Sequence, residues 1–292
     1  MGLEMSAQCL LCHLNKNVEL AQSLGDGQTA AAFAKALMKL YLAAPEDATS
    51  PCFGPGTAEL FQRFYGLDLD RFREEKAASN RYVLARMDSV RARIEAAPDP
   101  LFAGLQYALL GNYIDFSALN GQVSFDELDG MLLRAADMSV EQRSYDALHR
   151  ELEQAKSLLY FTDNAGEIGF DRLFAEQIRK AYPAISITFC VRGGPALNDA
   201  TREDAAAVGL PFPVIDNGST IPGTYLPMLG EEARRAMDAA DVILAKGQAN
   251  VETLYGCGYP IYYVFLIKCA LFMNTFRKPK LTPMLLREGE KI

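Results

Sequence analysis

Short apolar runs alternate with helical patterns in the second half of the chain, and this alternation limits the possible folds more than any other feature. The apolar runs are residues 158–162, 185–191, 212–215, 242–245 and 261–267. Helical patterns lie between them, at residues 167–181, about 199–208, 230–240 and 247–256. Strands and helices at this spacing predict right-handed crossovers and a mostly parallel sheet with helices on both faces. We therefore expect an α/β domain over residues 151–292.

The first half of the chain is predicted to be helical throughout. Apolar residues recur at three- and four-residue spacing in the segments 4–24, 29–43, 57–65, 70–96, 101–116, 125–137 and 141–155. Glycine- and proline-rich turns separate several of these segments, for example at residues 50–56 and 98–100. A chain of 292 residues is typical of two domains. We expect residues 1–150 to form a helical domain that packs on the α/β domain.

Composition and charge exclude several classes of partner. The formal net charge of −8 argues against nucleic acid or an anionic membrane as the main partner. The most membrane-like stretch, residues 260–276, is interrupted by Lys268 after an apolar run too short to span a bilayer. The first residues lack the basic and apolar segments of a secretory signal. We expect a soluble cytoplasmic protein whose cysteines are mostly reduced.

Polar side chains follow each of the five predicted strands. They are Asp163 and Asn164 after the first strand, Asn198 and Asp199 after the second, Asp216 after the third, Lys246 and Gly247 after the fourth, and Lys268 after the fifth. The carboxyl ends of parallel strands meet at one edge of a sheet, and ligands bind in the crevice there. The sequence therefore predicts one site at this edge.

The residue types at this edge predict a metal ion and a phosphate. Asp163, Asn164 and Asp216 supply the oxygen ligands that a divalent cation prefers, with waters completing the shell. Lys246 and Lys268 are positive charges that can hold a phosphate dianion. Such a combination is typical of a metal-assisted hydrolase of phosphate esters.

Further residues complete the predicted machinery. Gly247 lies at a helix start, where backbone amides can face the same anion. Asn198 joins the predicted phosphate-binding residues. Glu167 or Asp199 is the carboxylate expected to orient the attacking water.

Each of these motifs also has a purely structural interpretation. Asn164 followed by Glu167 is a capping-box-like helix start. Asp216, which is followed by Asn and Gly, fits a turn, and Lys246 with Gly247 fits a solvated loop. The placement of all of them at successive strand ends favours the functional interpretation.

The segment Cys9-Leu-Leu-Cys12-His13 matches the c-type haem attachment pattern. Covalent haem attachment belongs to an exported compartment, so we do not expect haem here. Two small thiols on a helix are the simplest interpretation. A partial metal site and a reversible disulfide remain open alternatives.

Several motifs resemble the signatures of the damage-control phosphatase family. This metal-binding domain family was long described as being of unknown function, and it includes proteins once called acidic-residue methyltransferases. The resemblance rests on Asp163-Asn164-Ala-Gly-Glu167, Asn198-Asp199, Asp216 and Lys246-Gly-Gln-Ala-Asn250. Residues 111–116 and the pair Cys9 and Cys12 fit its prokaryotic branch. The resemblance covers nearly the whole chain.

The resemblance implies a helical N-terminal region on a Rossmann-like α/β domain. It also implies a divalent metal, Mn, Co or Ni and sometimes Mg, held by Asp163, Asn164 and Asp216. The implied activity is hydrolysis of small phosphorylated metabolites such as sugar phosphates and damaged phosphometabolites. The chain departs from the family at two positions. Ala249 replaces a glycine, and Leu266 stands where a second lysine is common.

Other functions fit the sequence less well. A phosphatase with an aspartyl nucleophile needs a second aspartate two residues after the first, where this chain has Ala165. The glycine pattern of a dinucleotide site is absent after the first strand, and so is a glycine-rich adenosylmethionine loop. We therefore expect a metal-dependent phosphatase. The alternative is a metal-dependent binding or sensor module that holds a phosphometabolite without turnover.

Overall fold

The computed structural model of the protein describes residues 3, 5–115 and 124–290. In the described part of the first half of the chain, the regular elements before the first strand are all helices. They are α1 (Ala7–Leu24), α2 (Gly27–Leu42), α3 (Gly54–Tyr65), α4 (Arg73–Leu84), α5 (Met87–Ala96), α6 (Pro100–Gly111), α7 (Phe125–Leu133) and α8 (Gln142–Gln154), with 3-10 turns at Ser50–Phe53 and Ala135–Asp137. The all-helical N-terminal region is confirmed.

Strands and helices then alternate as the sequence predicts. The elements are β1 (Ser157–Phe161), α9 (Glu167–Ala181), β2 (Ser186–Val191), α10 (Arg202–Ala207), β3 (Val214–Asp216), a 3-10 turn (Leu226–Met228), α11 (Glu231–Ala239), β4 (Val242–Lys246), α12 (Gly247–Leu254), β5 (Ile261–Leu266), α13 (Ala270–Phe276) and β6 (Pro283–Arg287). The sheet order is β3-β2-β1-β4-β5-β6. Strands β1 to β5 pair in parallel, and β6 is antiparallel to β5. The predicted mostly parallel α/β fold is confirmed.

The strand order places a ligand crevice at β1 and β4. Chain order runs outward from β1 through β2 to β3, and then returns to β4 on the other side of β1. The connections leave in opposite directions at such a switch point, which opens a crevice at the carboxyl ends of the strands. The ends of β1 and β4 are residues Phe161 and Lys246. Of the predicted site residues, Asp163, Asn164 and Glu167 follow the end of β1, and Lys246 and Gly247 lie at the end of β4.

Strand β1 is buried on both faces of the sheet, which explains its continuous apolar sequence. Leu158 and Tyr160 point into the core under α6, α8 and α9. Leu159 and Phe161 point into the core on the opposite face, under α11 and α12. Successive side chains of a strand alternate between faces, so both faces need apolar residues here.

Helix α6 packs directly against α9 and so joins the helical region to the sheet. Two glycines on α6 face α9 at close range. A Cβ atom on Gly104 would lie 3.2 Å from the Phe174 ring, and one on Gly111 would lie 3.1 Å from the Phe170 ring. Because α6, α8 and the sheet share one core, no gap in packing marks residue 150. The division of the chain into domains 1–150 and 151–292 stays a prediction.

The structure differs from the sequence-based predictions at several elements. The predicted helix 70–96 is two helices, broken near Arg86. The predicted helix 101–116 ends at Gly111, and Phe116 lies outside the described residues. Helix α13 and strand β6 were not predicted. In the part of the chain that the structure describes, no helix is both long and apolar enough to cross a bilayer.

Candidate active site

The end of β1 turns sharply into α9 and carries three buried polar side chains. Asp163, Asn164 and Glu167 are 4%, 2% and 0% exposed. The turn depends on Gly166, whose φ of +79° favours glycine. A Cβ atom there would lie 2.7 Å from the Cβ of Ser79. The helical region therefore presses directly on the loop that carries the site.

Asn164 links the two neighbouring carboxylates. Its Nδ2 donates to Asp163 Oδ2 at 2.8 Å and to Glu167 Oε2 at 2.7 Å. Glu167 Oε2 also accepts the backbone N–H of Asn164 at 3.2 Å. One of the two hydrogen bonds of the predicted capping box is therefore present, because the Glu167 carboxylate accepts the backbone N–H of Asn164. The N-cap residue of α9 is Gly166, however, and the Asn164 side chain serves the carboxylates instead.

Asn112 is a site residue to which the sequence analysis gave no role. It follows α6 and is fully buried. Its Nδ2 donates to Asp163 Oδ2 at 2.9 Å and to Glu167 Oε1 at 3.0 Å, and its Oδ1 accepts the N–H of Leu266 at 3.0 Å. The available signal was an asparagine at the end of a strongly apolar helix. Asn112 ties the helical region, β5 and the site loop together.

The loop after β2 pairs with the loop after β1. Ala200 N–H donates to the Asp163 carbonyl at 2.7 Å, and Asn164 and Asp199 form an antiparallel bridge. Asn198 Nδ2 donates to Asn164 Oδ1 at 2.8 Å. Asn198 Oδ1 is buried and has no hydrogen-bond partner among the described residues. Residues 198 and 199 thus lie directly beside Asp163 and Asn164.

A buried arginine orients the carboxylate of Asp199. Arg192 Nε donates to Asp199 Oδ2 at 2.6 Å, and Arg192 Nη2 donates to the Thr162 carbonyl at 3.1 Å. The arginine and aspartate side chains are 0% and 5% exposed. Burial raises the pKa of Asp199, and the charge of Arg192 opposes that rise. The carboxylate is therefore fixed in place by a desolvated ion pair.

Negative charge accumulates around Asp163. Burial raises its pKa well above the usual range, and the charges of Glu167 and Asp199 raise it further. Lys268 opposes this effect. Such repulsion is what a bound cation relieves.

His, Cys, Asp and Glu do not suffice for a metal site by themselves. Within residues 3, 5–115 and 124–290, no group of three or more of these side chains could hold a metal ion. A metal at this edge would therefore take part of its ligand set from other oxygen donors, such as amide oxygens, backbone carbonyls or water. Asn164 carries a side-chain amide next to Asp163, and its backbone pairs with that of Asp199.

Lys246 lies beneath the site, whereas the sequence analysis assigned it to phosphate. It is fully buried. Its Nζ lies 3.0 Å from Glu167 Oε1, 3.0 Å from Asp171 Oδ1 and 2.5 Å from the Ala108 carbonyl. Burial lowers the pKa of Lys246, but the charges of Asp171 and Glu167 outweigh it and the net shift is upward. All three donors of the ammonium group are used inside the protein.

Asp171 is the second acid in this buried cluster. Its Oδ1 accepts a hydrogen bond from the Tyr160 hydroxyl at 2.9 Å. Burial raises the pKa of Asp171 to about 7, against the opposing charge of Lys246. The cluster of Lys246, Glu167 and Asp171 thus supports the site loop from below.

Gly247 brings the backbone of α12 against Asp163. Its φ is +79°, and a Cβ atom at this position would lie 1.9 Å from Asp163 Oδ2. Only glycine fits without displacing the carboxylate. Nearby, Gly223 packs on Ala249, since a Cβ on Gly223 would lie 2.4 Å from the Ala249 carbonyl oxygen. The loop around residue 223 therefore covers the start of α12.

Lys268 follows β5, and its side chain is only 1% exposed. Its Nζ pairs with Asp115 Oδ2 at 2.7 Å, and its backbone N–H donates to the side chain of Gln248. Its positive charge opposes the rise in the pKa of Asp163, so the two side chains lie within electrostatic range of each other. Leu266, at the position of the second family lysine, is fully buried in the core.

Asp216 does not join the site residues. It ends β3, two strands from β1, which is roughly 10 Å across the sheet. Its Oδ2 pairs with Arg202 Nε at 2.8 Å, and its Oδ1 accepts the N–H of Gly218 at 3.1 Å. Its side chain is 32% exposed. The turn interpretation describes Asp216, and Asp199 occupies the place beside Asn164.

The cysteine pair lies on α1 without a disulfide. Cys9 is partly buried, Cys12 is exposed, and both are free thiols, as is Cys52. Ser6 Oγ donates to Cys9 Sγ at 3.3 Å. The geometry agrees with two small thiols on a helix.

The model of the damage-control phosphatase ARMT1-like domain matches residues 5–280 of the chain. The chain belongs to that family. It is 32% identical to damage-control phosphatase PH1575 of Pyrococcus horikoshii over 95% of this chain and 96% of the relative. It is 31% identical to a damage-control phosphatase of Archaeoglobus fulgidus, over 68% of this chain and 69% of the relative.

A solved structure of the same family supports the fold. The crystal structure of the DUF89 family protein PH1575 from Pyrococcus horikoshii superposes with a TM-score of 0.83. The identity in that comparison is 27%, and the match covers 98% of this chain and all of the other. The predicted family and fold class are confirmed. As a member of this family, the chain is a phosphoric monoester hydrolase that requires a divalent metal.

Proposed function

We propose that this chain hydrolyses phosphate esters of small metabolites at the loops that follow β1 and β2. One observation supports this site most strongly. The backbone pairing of the two loops places Asp199 opposite Asn164 and close to Asp163, and both aspartates are buried. We assign these three residues as the metal ligands. Asp199 thus replaces Asp216 in the set predicted from the sequence.

These residues fit a hard divalent cation. They offer carboxylate and amide oxygens, which Mn, Co, Ni and Mg accept. The mutual repulsion that raises the pKa of Asp163 favours a cation at this position. A divalent metal supplies an acidic bound water and neutralises charge on the phosphate when it is bound. We propose Mn, Co or Ni, with Mg as a further possibility.

We propose that Glu167 acts through Asn164. Glu167 is fully buried, and its oxygens accept bonds from Asn112, Lys246 and both nitrogens of Asn164. It therefore holds the amide of Asn164 in one orientation. Lys246 in turn fixes Glu167. Both are positioning residues, although the sequence analysis gave them direct roles.

We assign the phosphate to groups around the carboxylate of Asp163. Lys268 is a cation within electrostatic range of Asp163. The backbone at Gly247 approaches the same aspartate, where the start of α12 directs amides towards an anion. The amide of Asn198 lies next to Asn164. These groups hold the ester while the two aspartates and Asn164 bind the metal.

The proposal also covers the class of substrate and the cellular compartment. The substrate is a small phosphorylated metabolite, since the net charge of −8 disfavours nucleic acid. Free thiols at the cysteines support a reducing, cytoplasmic compartment.

The decisive experiment compares two aspartates at neighbouring strand ends. Metal-stripped protein is given Mn, Co, Ni or Mg in turn, and hydrolysis of p-nitrophenyl phosphate is measured. We expect Asp199→Asn to lose metal binding and turnover, whereas Asp216→Asn keeps both. If Asp216→Asn lost turnover while Asp199→Asn kept it, the metal ligands would instead be Asp163, Asn164 and Asp216, as predicted from the sequence. Tight metal binding by the unmodified protein without turnover of any ester would favour the binding module.

A further inference from the structure

A cavity of about 590 Å³ opens beside the candidate active site. Side chains of α1, α3 and residues 67–75 line one side of it. Residues 195–197 line the other side, and the next residue is Asn198, which bonds Asn164. The cavity and the site therefore share an edge. A phosphate ester bound at Asp163 and Asn164 can place its leaving group here.

Arg71 presents an unsatisfied donor on the wall of this cavity. Its Cζ lies 5.0 Å from the ring centroid of Phe61 and 5.1 Å from that of Phe72. These contacts hold the guanidinium in place. Its Nη1 is buried and has no hydrogen-bond partner among the described residues. A buried N–H group of a cation costs free energy unless an acceptor reaches it.

Thr57 provides a second unsatisfied group on the same wall. It lies on α3 and is 5% exposed. Its Oγ1 is buried and unpaired within the described part of the chain. Lys16 also lines the cavity and adds a second positive charge. Burial lowers the pKa of both Lys16 and Arg71, which shows that water solvates this wall poorly.

Acidic side chains in the lining limit where an anion can bind. Glu19 and Asp68 are exposed and so face the solvent side of the cavity. Glu75 is partly buried, and its charge opposes the downward shift in the pKa of Arg71. Hydrogen bonds to Arg71 and Thr57 must therefore contribute to anion binding alongside charge.

We propose that the cavity binds the leaving group of the ester and that Arg71, with Thr57, holds a second anionic group on it. The inference rests on the proposed function. The second group is a phosphate or a carboxylate, because both match the planar fork of a guanidinium. The substrate class is then a metabolite with two anionic groups, one of which is the hydrolysed phosphate.

Matched substrates test this inference. Glucose 6-phosphate and glucose 1-phosphate are compared with glucose 1,6-bisphosphate, and glycerol 3-phosphate is compared with 3-phosphoglycerate. The measured quantity is the ratio of kcat/KM values within one protein. We expect the second anion to raise kcat/KM on the order of tenfold in at least one pair. The glucose phosphates test whether the second anion is a phosphate, and the comparison of glycerol 3-phosphate with 3-phosphoglycerate tests whether it is a carboxylate.

Two variants and one control connect the ratio to the cavity. Arg71→Gln is expected to bring the ratio close to one, and Thr57→Val to reduce it by a smaller factor. Arg73→Gln should keep the ratio, because Arg73 is 74% exposed and pairs with Asp70. A ratio within one protein cancels a general loss of folded enzyme.

The possible failures are distinguishable. If p-nitrophenyl phosphate is hydrolysed but the ratio is near one, or is the same in Arg71→Gln, the inference is wrong and the proposed function stands. If no ester is hydrolysed with any metal, the proposed function is wrong. Calorimetric binding of glucose 1,6-bisphosphate then tests the cavity by itself, and equal affinity in the unmodified protein and Arg71→Gln overturns it.

Discussion

Two regions of the molecule differ in how their polar groups are paired: the floor of the site, which is the buried cluster of Lys246, Glu167 and Asp171, and the cavity wall that carries Arg71 and Thr57. On the floor, Lys246 uses all three donors on Glu167, Asp171 and the Ala108 carbonyl. On the wall, Arg71 Nη1 and Thr57 Oγ1 have no partner among the described residues. A fully paired buried network is rigid before any ligand binds. Unpaired groups in a cavity gain their partners from a ligand instead.

The largest expected effect comes from removing the cation of the floor. Lys246→Met leaves Glu167 and Asp171 buried without a compensating charge. We expect unfolding in urea to show a loss of about 3–5 kcal/mol in the free energy of unfolding. The double variant Lys246→Met with Asp171→Leu should recover part of that loss. A single variant as stable as the unmodified protein would contradict the floor's dependence on this charge.

Gly247→Ala tests the close approach between α12 and Asp163. The added Cβ would lie 1.9 Å from Asp163 Oδ2, so the carboxylate must move. We expect metal affinity, measured by calorimetry, to fall by at least tenfold, with a loss of stability of about 1–3 kcal/mol from backbone strain.

Gly256→Ala is the control for Gly247→Ala. Gly256 has a φ of +82°, but a Cβ there meets nothing within 4 Å. The Gly256→Ala variant should show the same kind of backbone strain as Gly247→Ala but keep the metal affinity of the unmodified protein. Equal metal affinity in the two variants would show that the contact with Asp163 is unimportant.

Asn112→Ala separates positioning from direct binding. The variant removes the bonds to Asp163, Glu167 and the N–H of Leu266. We expect a fall of about 10- to 100-fold in metal affinity or activity, as is usual when a partner of a metal ligand is lost. Unchanged metal binding and turnover would show that Asn112 does not position the site residues.

The smallest effect is expected on the wall, from His13. Its ring Nδ1 lies 2.6 Å from the Tyr41 hydroxyl, and burial, aided by Lys16, lowers its pKa from 6.5 to about 4. Folding therefore favours the neutral ring. Between pH 6.5 and about 4 the unfolded chain binds the extra proton, so stability falls as pH falls through this window.

The His13→Gln variant checks that contribution. Thermal unfolding is measured for both proteins at pH 7 and at pH 4.5. We expect the acid-induced drop in Tm to be smaller in the variant. An identical drop would show that His13 contributes nothing to the pH dependence.

The sequence predicted the strands and helices of the α/β half closely. Helix α9 was predicted over its full observed range of 167–181. Strand β6 was missed because it is an edge strand that 16 intervening residues separate from its pairing partner, β5. A short stretch such as 283–287 gains its hydrogen bonds only from that tertiary contact.

The sequence also predicted some site residues better than others, depending on whether their position is set by local pattern or by tertiary contacts. Asp163, Asn164 and Asp199, which we propose as the metal ligands, were among the predicted site residues because they follow adjacent strands, and strand ends meet at one edge. Asp216 also lies at a strand end, but β3 is an edge strand of the sheet, two strands away from β1. The position of a residue in the sequence predicts which strand it follows. How far that strand lies from the site, however, depends on the order of the strands in the sheet. For the same reason, nothing in the sequence showed that Lys246 points down into the protein.

By itself the sequence determined the α/β fold, its helical N-terminal region and the strand ends that carry polar groups. These follow from local periodicity, which each segment expresses in its own residues. Only the tertiary structure decided which polar groups meet. Asn112 reaches Asp163 across 51 positions of sequence, and Lys246 reaches the Ala108 carbonyl across 138. Contacts of that range depend on how helices dock on the sheet, which no local pattern encodes.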